Sequence, residues 1–146
     1  PMLDIKDSIS LLKTVEEVLI LSEKNEVKEL VFILKKETNS EPLITCVNLQ
    51  SGQADFAFNY SHESKVNLAF RKPEGYLYEP NASIMKAGAF RSIAEAYKVS
   101  KIAANSHLYS SRECILDFPG RIFEIEQVVD FDKKQIKKLL KGIYNH

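Results

Sequence analysis

YLYEPNASIMKAGAF, residues Tyr76 to Phe90, reads as a strand that turns straight into a helix. Tyr76 to Tyr78 are β-formers. Glu79 precedes Pro80, which holds it extended. Pro80 and Asn81 then open a helix, with Asn81 as a natural N-cap. Met85, Ala89, Ile93 and Tyr97 fall on one stripe, so the spacing predicts a helix to about Lys98. Ala87, Gly88 and Ala89 are small, which lets another backbone approach closely there. A strand-to-helix corner flanked by further strands places the chain in the α+β class.

Downstream, Ile102 to Tyr109 has partial strand character. Ile115-Leu116 and Ile122 to Val129 read as strands on either side of Phe118-Pro119-Gly120-Arg121. Pro119 then Gly120 suits the central positions of a type II turn. That turn sets Arg121 beside Asp117 as an ion pair. The last element is a helix capped by Asp132, with an apolar stripe of Ile136, Leu139, Leu140 and Ile143. Opposite the stripe, Lys133, Lys134, Lys137, Lys138 and Lys141 follow one another without an acid. Such a helix can track a phosphate backbone or lie on an anionic membrane. It can also simply pack, with its lysines complementing its dipole.

Upstream, Ile5, Ile9 and Leu12 mark one helix face, with Asp4 or Ser8 as cap. Val18 to Leu21 and Leu30 to Leu34 are apolar runs around a polar turn from Ser22 to Lys28, the pattern of an antiparallel hairpin. Leu43 to Leu49 gives a third strand. Phe56, Phe58 and Tyr60 alternate with smaller or polar residues, and Val66, Leu68 and Phe70 repeat that alternation, so both segments read as half-buried strands.

The formal charge is zero over 146 residues, but it is unevenly spread. Residues 1–70 carry 7 lysines against 11 acids; residues 71–146 carry 13 basic residues against 9 acids. All four arginines lie in the second half. The split suggests two units with different surfaces, meeting near Ser61 to Lys65 or Lys72 to Gly75. Each has about 70 residues, where one core is only marginally stable, so the two are expected to pack on each other. No apolar run approaches the ~20 residues of a spanning helix. The opening PMLDIKDSIS is too charged for a signal peptide, and Pro1 in place of a starting Met reads as a segment of a longer protein. Cys46 and Cys114 sit far apart in apolar stretches and read as inert buried thiols, which fits a reducing, cytoplasmic setting.

Several chemistries are excluded. The five glycines are scattered singly, so no phosphate-cradling or cofactor loop can be built from them. His62, His107 and His146 are isolated, and no metal-ligand spacing is present. No nucleophile elbow exists, and nothing orients Cys114 with His107. What remains is a basic and aromatic second half. Arg71, Lys72, Lys86, Arg91, Lys98, Lys101, Arg112 and Arg121 interleave with Phe70, Tyr76, Tyr78, Phe90, Tyr97, Tyr109, Phe118 and Phe123. Cations meet phosphates and exposed rings stack on bases, whereas buried rings with solvated cations would be ordinary structure. Glu79 and Asn81 at the helix start, and Asn105 to Ser111, are further polar candidates, though each reads more simply as a corner or a plain loop.

YLYEPNASIMKAGAF, NSHLYSS (Asn105 to Ser111) and DFPGRIFEIEQV (Asp117 to Val128), in this order, resemble the C-terminal region of a bacterial class I S-adenosylmethionine-dependent methyltransferase family. The upstream PMLDI (Pro1 to Ile5) and EVLILSEKNEVKEL (Glu17 to Leu30) extend the likeness over nearly the whole chain. The resemblance implies a ferredoxin-like unit over residues 1–70, then a THUMP-like unit over residues 71–146. It implies that the methyltransferase domain, with its S-adenosylmethionine site, precedes Pro1 and is a partner of this chain. By analogy with THUMP domains it implies RNA binding through Arg71, Lys72, Lys86, Arg91, Arg112 and Arg121, with no methyl transfer by this region alone. A module that packs on the catalytic domain without touching nucleic acid is the alternative.

Overall fold

Val15–Glu23 (β1) and Glu26–Leu34 (β2) form the expected antiparallel hairpin in the computed structural model, which describes residues 3–144. The turn is tighter than the polar stretch suggests: only Lys24 and Asn25 lie between the strands. Both have positive φ, as a two-residue hairpin turn requires. Asp4 caps the preceding helix Ile5–Leu12 (α1) by accepting from the Asp7 N–H. Pro1 and Met2 of the PMLDI motif lie outside the described residues. Leu43–Leu49 (β3) then pairs with β1 in parallel, and Phe56–Phe58 (β4) pairs with β3 antiparallel. The first sheet has the order β2-β1-β3-β4.

The alternation expected through Tyr60 and again over Val66 to Phe70 does not persist as strand. Tyr60–Lys65 is a short helix (α2), because Asn59 caps it through the His62 N–H. Beyond it Phe70 makes only an isolated bridge to Lys101.

Tyr76–Pro80 (β5) runs into Asn81, whose side chain accepts from the Ile84 N–H as the expected cap. The single helix expected to Lys98 is two: Ala82–Ala87 (α3) and Phe90–Tyr97 (α4). Gly88 breaks it by adopting left-handed backbone, φ 73°, and ending α3 with a C-cap. Ser100–Lys101 (β6), Tyr109–Ser111 (β7) and Gly120–Glu124 (β8) complete a second sheet of order β6-β7-β5-β8. Ile115-Leu116 is not a strand, and Leu116 is exposed. Nor does the strand reach Val129, because β8 ends at Glu124. Gly120 does not occupy the left-handed position of a type II turn. It begins β8, where a Cβ would lie 2.0 Å from the Glu79 carbonyl oxygen across the ladder. The closing helix Lys133–Tyr144 (α5) starts as expected, with Asp132 accepting from the Lys134 N–H. Its stripe is only half covered, and Leu140 and Ile143 are exposed.

The chain is thus mixed α+β, with two four-stranded sheets and their helices in series. The two share one core. Val18, Ile20, Ile44 and Phe58 of the first sheet join Tyr78, Ile84, Ile93 and Tyr109 of the second half in a single buried cluster. The interlocking element is α3, which follows β5 yet lies against β1, β2 and β3. None of the described helices is long and apolar enough to cross a membrane.

Candidate nucleic-acid interface

Four of the six expected cations are engaged by the protein itself. Arg112 Nε donates to Glu74 Oε2 at 3.1 Å. Arg121 reaches Glu79 at 2.9–3.0 Å. Its partner is not Asp117, as the tight turn suggested, because Glu79 and Arg121 sit directly opposite each other on β5 and β8. Lys86 Nζ donates to the Leu3 carbonyl oxygen at 2.8 Å. Arg91 donates to the Val66 carbonyl oxygen at 2.9 Å. Arg71 and Lys72 are exposed and enter no ion pair among the described residues. Nor do the five lysines of α5.

The six are not one patch. Arg112 and Arg121 sit at opposite ends of β5, beside Glu74 and Glu79 respectively. Lys86 is tied to the segment before α1. Arg71 and Arg91 do gather, around Lys101. The Arg71 N–H donates to the Lys101 carbonyl oxygen, and Arg91 bears on the Lys101 charge.

Lys101, one of the cations of the basic and aromatic stretch, is not solvated. It is 4% exposed, and its Nζ donates to the Ala104 carbonyl oxygen at 3.2 Å. The ammonium also lies 5.5 Å from the centre of the Phe90 ring. Loss of water contact holds its pKa below the ordinary lysine value, and the nearby Arg91 adds to this; Glu63 works the other way. His107 stacks on the same Phe90 ring, centroids 3.9 Å apart and planes 12° from parallel. Burial, then Lys101, lowers the His107 pKa. A lone lysine after Val99-Ser100 carries no signal of this neighbourhood, since Phe90 and His107 arrive from distant segments.

The polar candidates at the helix start are used internally. Asn81 is buried; its side chain caps α3 and donates to Gln53 Oε1 at 3.0 Å. The Ala82 N–H is taken by the Asn25 side chain. Ser110 and Ser111 are likewise spent: Ser110 Oγ bonds Glu74 backbone, and Ser111 Oγ donates to the Glu113 carbonyl oxygen. Cys46 is buried, and burial pushes its thiol up to about 12, as an inert residue should be. Cys114 is exposed, contrary to expectation, because its segment leaves the sheet. Among the described residues no three of His, Cys, Asp or Glu gather as a metal site.

A polar seam joins the two halves. Glu63 Oε1 accepts from the Arg91 N–H at 2.8 Å, and Oε2 from the Ser92 N–H at 2.7 Å and Ser92 Oγ at 2.6 Å. It supplies the cap that α4 lacks, since Ala89 has no side chain to give. Gln53 bridges likewise, donating to the Gly120 carbonyl oxygen while accepting from Asn48 and Asn81.

A family model described as a ferredoxin-like domain matches residues 76–119. That span lies in the second half, whereas the resemblance attached the ferredoxin-like label to residues 1–70. No curated protein matches the chain. A crystal structure of a "putative methyltransferase" from Porphyromonas gingivalis W83 matches with 30% identity and a TM-score of 0.81. The match covers 90% of this chain and 35% of that one. The chain is therefore similar, over nearly all of its own length, to about a third of a longer protein.

Proposed function

We propose that this chain is a non-catalytic, substrate-holding region of an S-adenosylmethionine-dependent methyltransferase, and that its substrate is structured RNA. The observation that carries the reading is the match itself, nearly complete on this side and one third on the other. On this reading S-adenosylmethionine binds in the remainder of the polypeptide, which performs the transfer, and this region alone is inactive. Its two free thiols suit a cytoplasmic protein.

The RNA part rests on charge placement. Arg71 and Lys72 are exposed, and α5 carries five lysines without an intervening acid. Such groups contact phosphates, and Phe70, 55% exposed beside Arg71, offers a ring for an unpaired base. Arg91, Arg112, Arg121 and Lys86 hold the scaffold and act on phosphate only by sharing their present partners. Fluorescence anisotropy with labelled bulk tRNA, at low and near-physiological salt, tests this. Binding that weakens steeply with salt and falls at least tenfold in Arg71→Glu/Lys72→Glu is expected. No binding at low salt overturns RNA recognition by this region.

A further inference from the structure

The strands of the first sheet are apolar on both faces, but the fold covers only one. Val18, Ile20, Ile44 and Cys46 point into the core, where α3 lies. The alternate residues point the other way. By register they form rows: Ile33, Val31, Glu29 and Glu26 on β2; Glu17, Leu19, Leu21 and Glu23 on β1; Leu43, Thr45, Val47 and Leu49 on β3. Leu43, Leu49 and Ile33 are 37–44% exposed. A strand with one solvated face alternates apolar and polar, whereas continuous runs such as Val18 to Leu21 and Leu30 to Leu34 belong to strands covered on both sides. The sequence is written for a second cover.

We propose that this open face docks on the catalytic portion of the methyltransferase polypeptide, against an apolar patch rimmed by lysines or arginines. The proposal rests on the accessory-region reading above. Two observations select that occupant. The similar solved protein is far longer than the matched region, with about two thirds of it left for a separate body. The charged side chains in these rows are Glu17, Glu23, Glu26 and Glu29; with Lys28 paired to Glu26 the face stays net acidic, so the complementary rim is basic. Contiguous apolar surface on a soluble fold marks an interaction site.

The test uses the remainder of the full-length polypeptide, expressed separately and titrated with this chain in a calorimeter. The wild-type chain is expected to bind. Leu19→Lys/Val47→Lys is expected to bind at least a hundredfold more weakly, with unchanged far-UV circular dichroism. Should that variant fail to fold, Glu23→Lys/Glu29→Lys keeps every apolar side chain and is expected to weaken binding about tenfold. Undiminished binding by the folded variants overturns the proposal. So does a dimer of the isolated chain that Leu19→Lys dissolves, which would assign the face to a second copy. S-adenosylmethionine titrated into the remainder separates the two readings. Uptake there without docking overturns the face alone. No uptake overturns the accessory reading and the docking proposal with it.

Discussion

Glu63→Ala removes the joint between the halves. Its carboxylate accepts two backbone N–H bonds and one hydroxyl bond at the start of α4, all at 2.6–2.8 Å. A helix cap contributes about 1 kcal/mol, and a hydrogen bond to a charged group about 1.5–3 kcal/mol. Water can re-solvate the more exposed Arg91 N–H, whereas Ser92 is buried and its donors are left without a partner. The expected loss is therefore about 3 kcal/mol, the top of the single-bond range, because more than one bond is lost. For a domain of this size each kcal/mol moves Tm by roughly 2–4 °C, so a fall of about 6–12 °C is expected. Glu63→Gln keeps an acceptor but loses the charge, and it should cost about half as much. Thermal and urea unfolding followed by circular dichroism measures both. Because the sheets share one core, the transition should shift without splitting. A drop below about 2 °C for the alanine variant, or equal losses for alanine and glutamine, would refute the capping argument.

Gly120→Ala should cost about 3 kcal/mol or more, seen in urea unfolding, since its Cβ would meet the Glu79 carbonyl oxygen at 2.0 Å and the β5–β8 ladder must part. Tyr78→Phe should cost about 1–3 kcal/mol and speed amide exchange at Ile115, because the hydroxyl accepts from the Ile115 N–H and donates to the Glu113 carbonyl oxygen in a buried position. Arg121→Gln, by contrast, breaks only an exposed pair, and its melting curve should move by less than about 1 kcal/mol equivalent. A thiol reagent at pH 8 should label Cys114 in the native protein and Cys46 only after unfolding. The folded Cys46 pKa of about 12 exceeds its unfolded value, so the unfolded state ionises first and stability falls as pH rises through 9 toward 12. By pH 10 that group alone removes on the order of 1–2 kcal/mol, a slope that Cys46→Ala should lack.

What sequence reading recovered follows from how local its causes are. Asp4, Asn81 and Asp132 were legible caps because each satisfies a backbone N–H two or three residues ahead. The β1–β2 hairpin was legible for the same reason. The split at Gly88 was not, since one apolar stripe continues through both helices and only the backbone conformation separates them. Parallel pairing of β1 with β3 leaves no local trace. The cationic candidates were legible as charges but not as free charges. Glu79 and Arg121 are 42 residues apart, and only the β5–β8 register reveals that each neutralises the other.

The polar stretch Ser61 to Lys65 has a functional side. Its polarity between apolar runs reads as one of two places where the units meet. It holds the two halves together: Glu63, on the short helix that Asn59 caps, accepts from the first residues of α4. The segment that follows is clamped as well: Arg91 holds the Val66 carbonyl oxygen, and Lys101 backbone takes the Ala69 carbonyl and the Arg71 N–H. Arg71 is thus fixed to the second sheet by its main chain while its side chain stays exposed. The same segment follows directly from the first half. If the first sheet docks on the catalytic portion, no flexible hinge intervenes between that contact and the Arg71–Lys72 cations. On the two proposals together, the docked face would set their position relative to the reacting centre, so Glu63→Ala should weaken RNA binding by the full-length protein, read by the same anisotropy titration, even where it leaves both surfaces chemically intact.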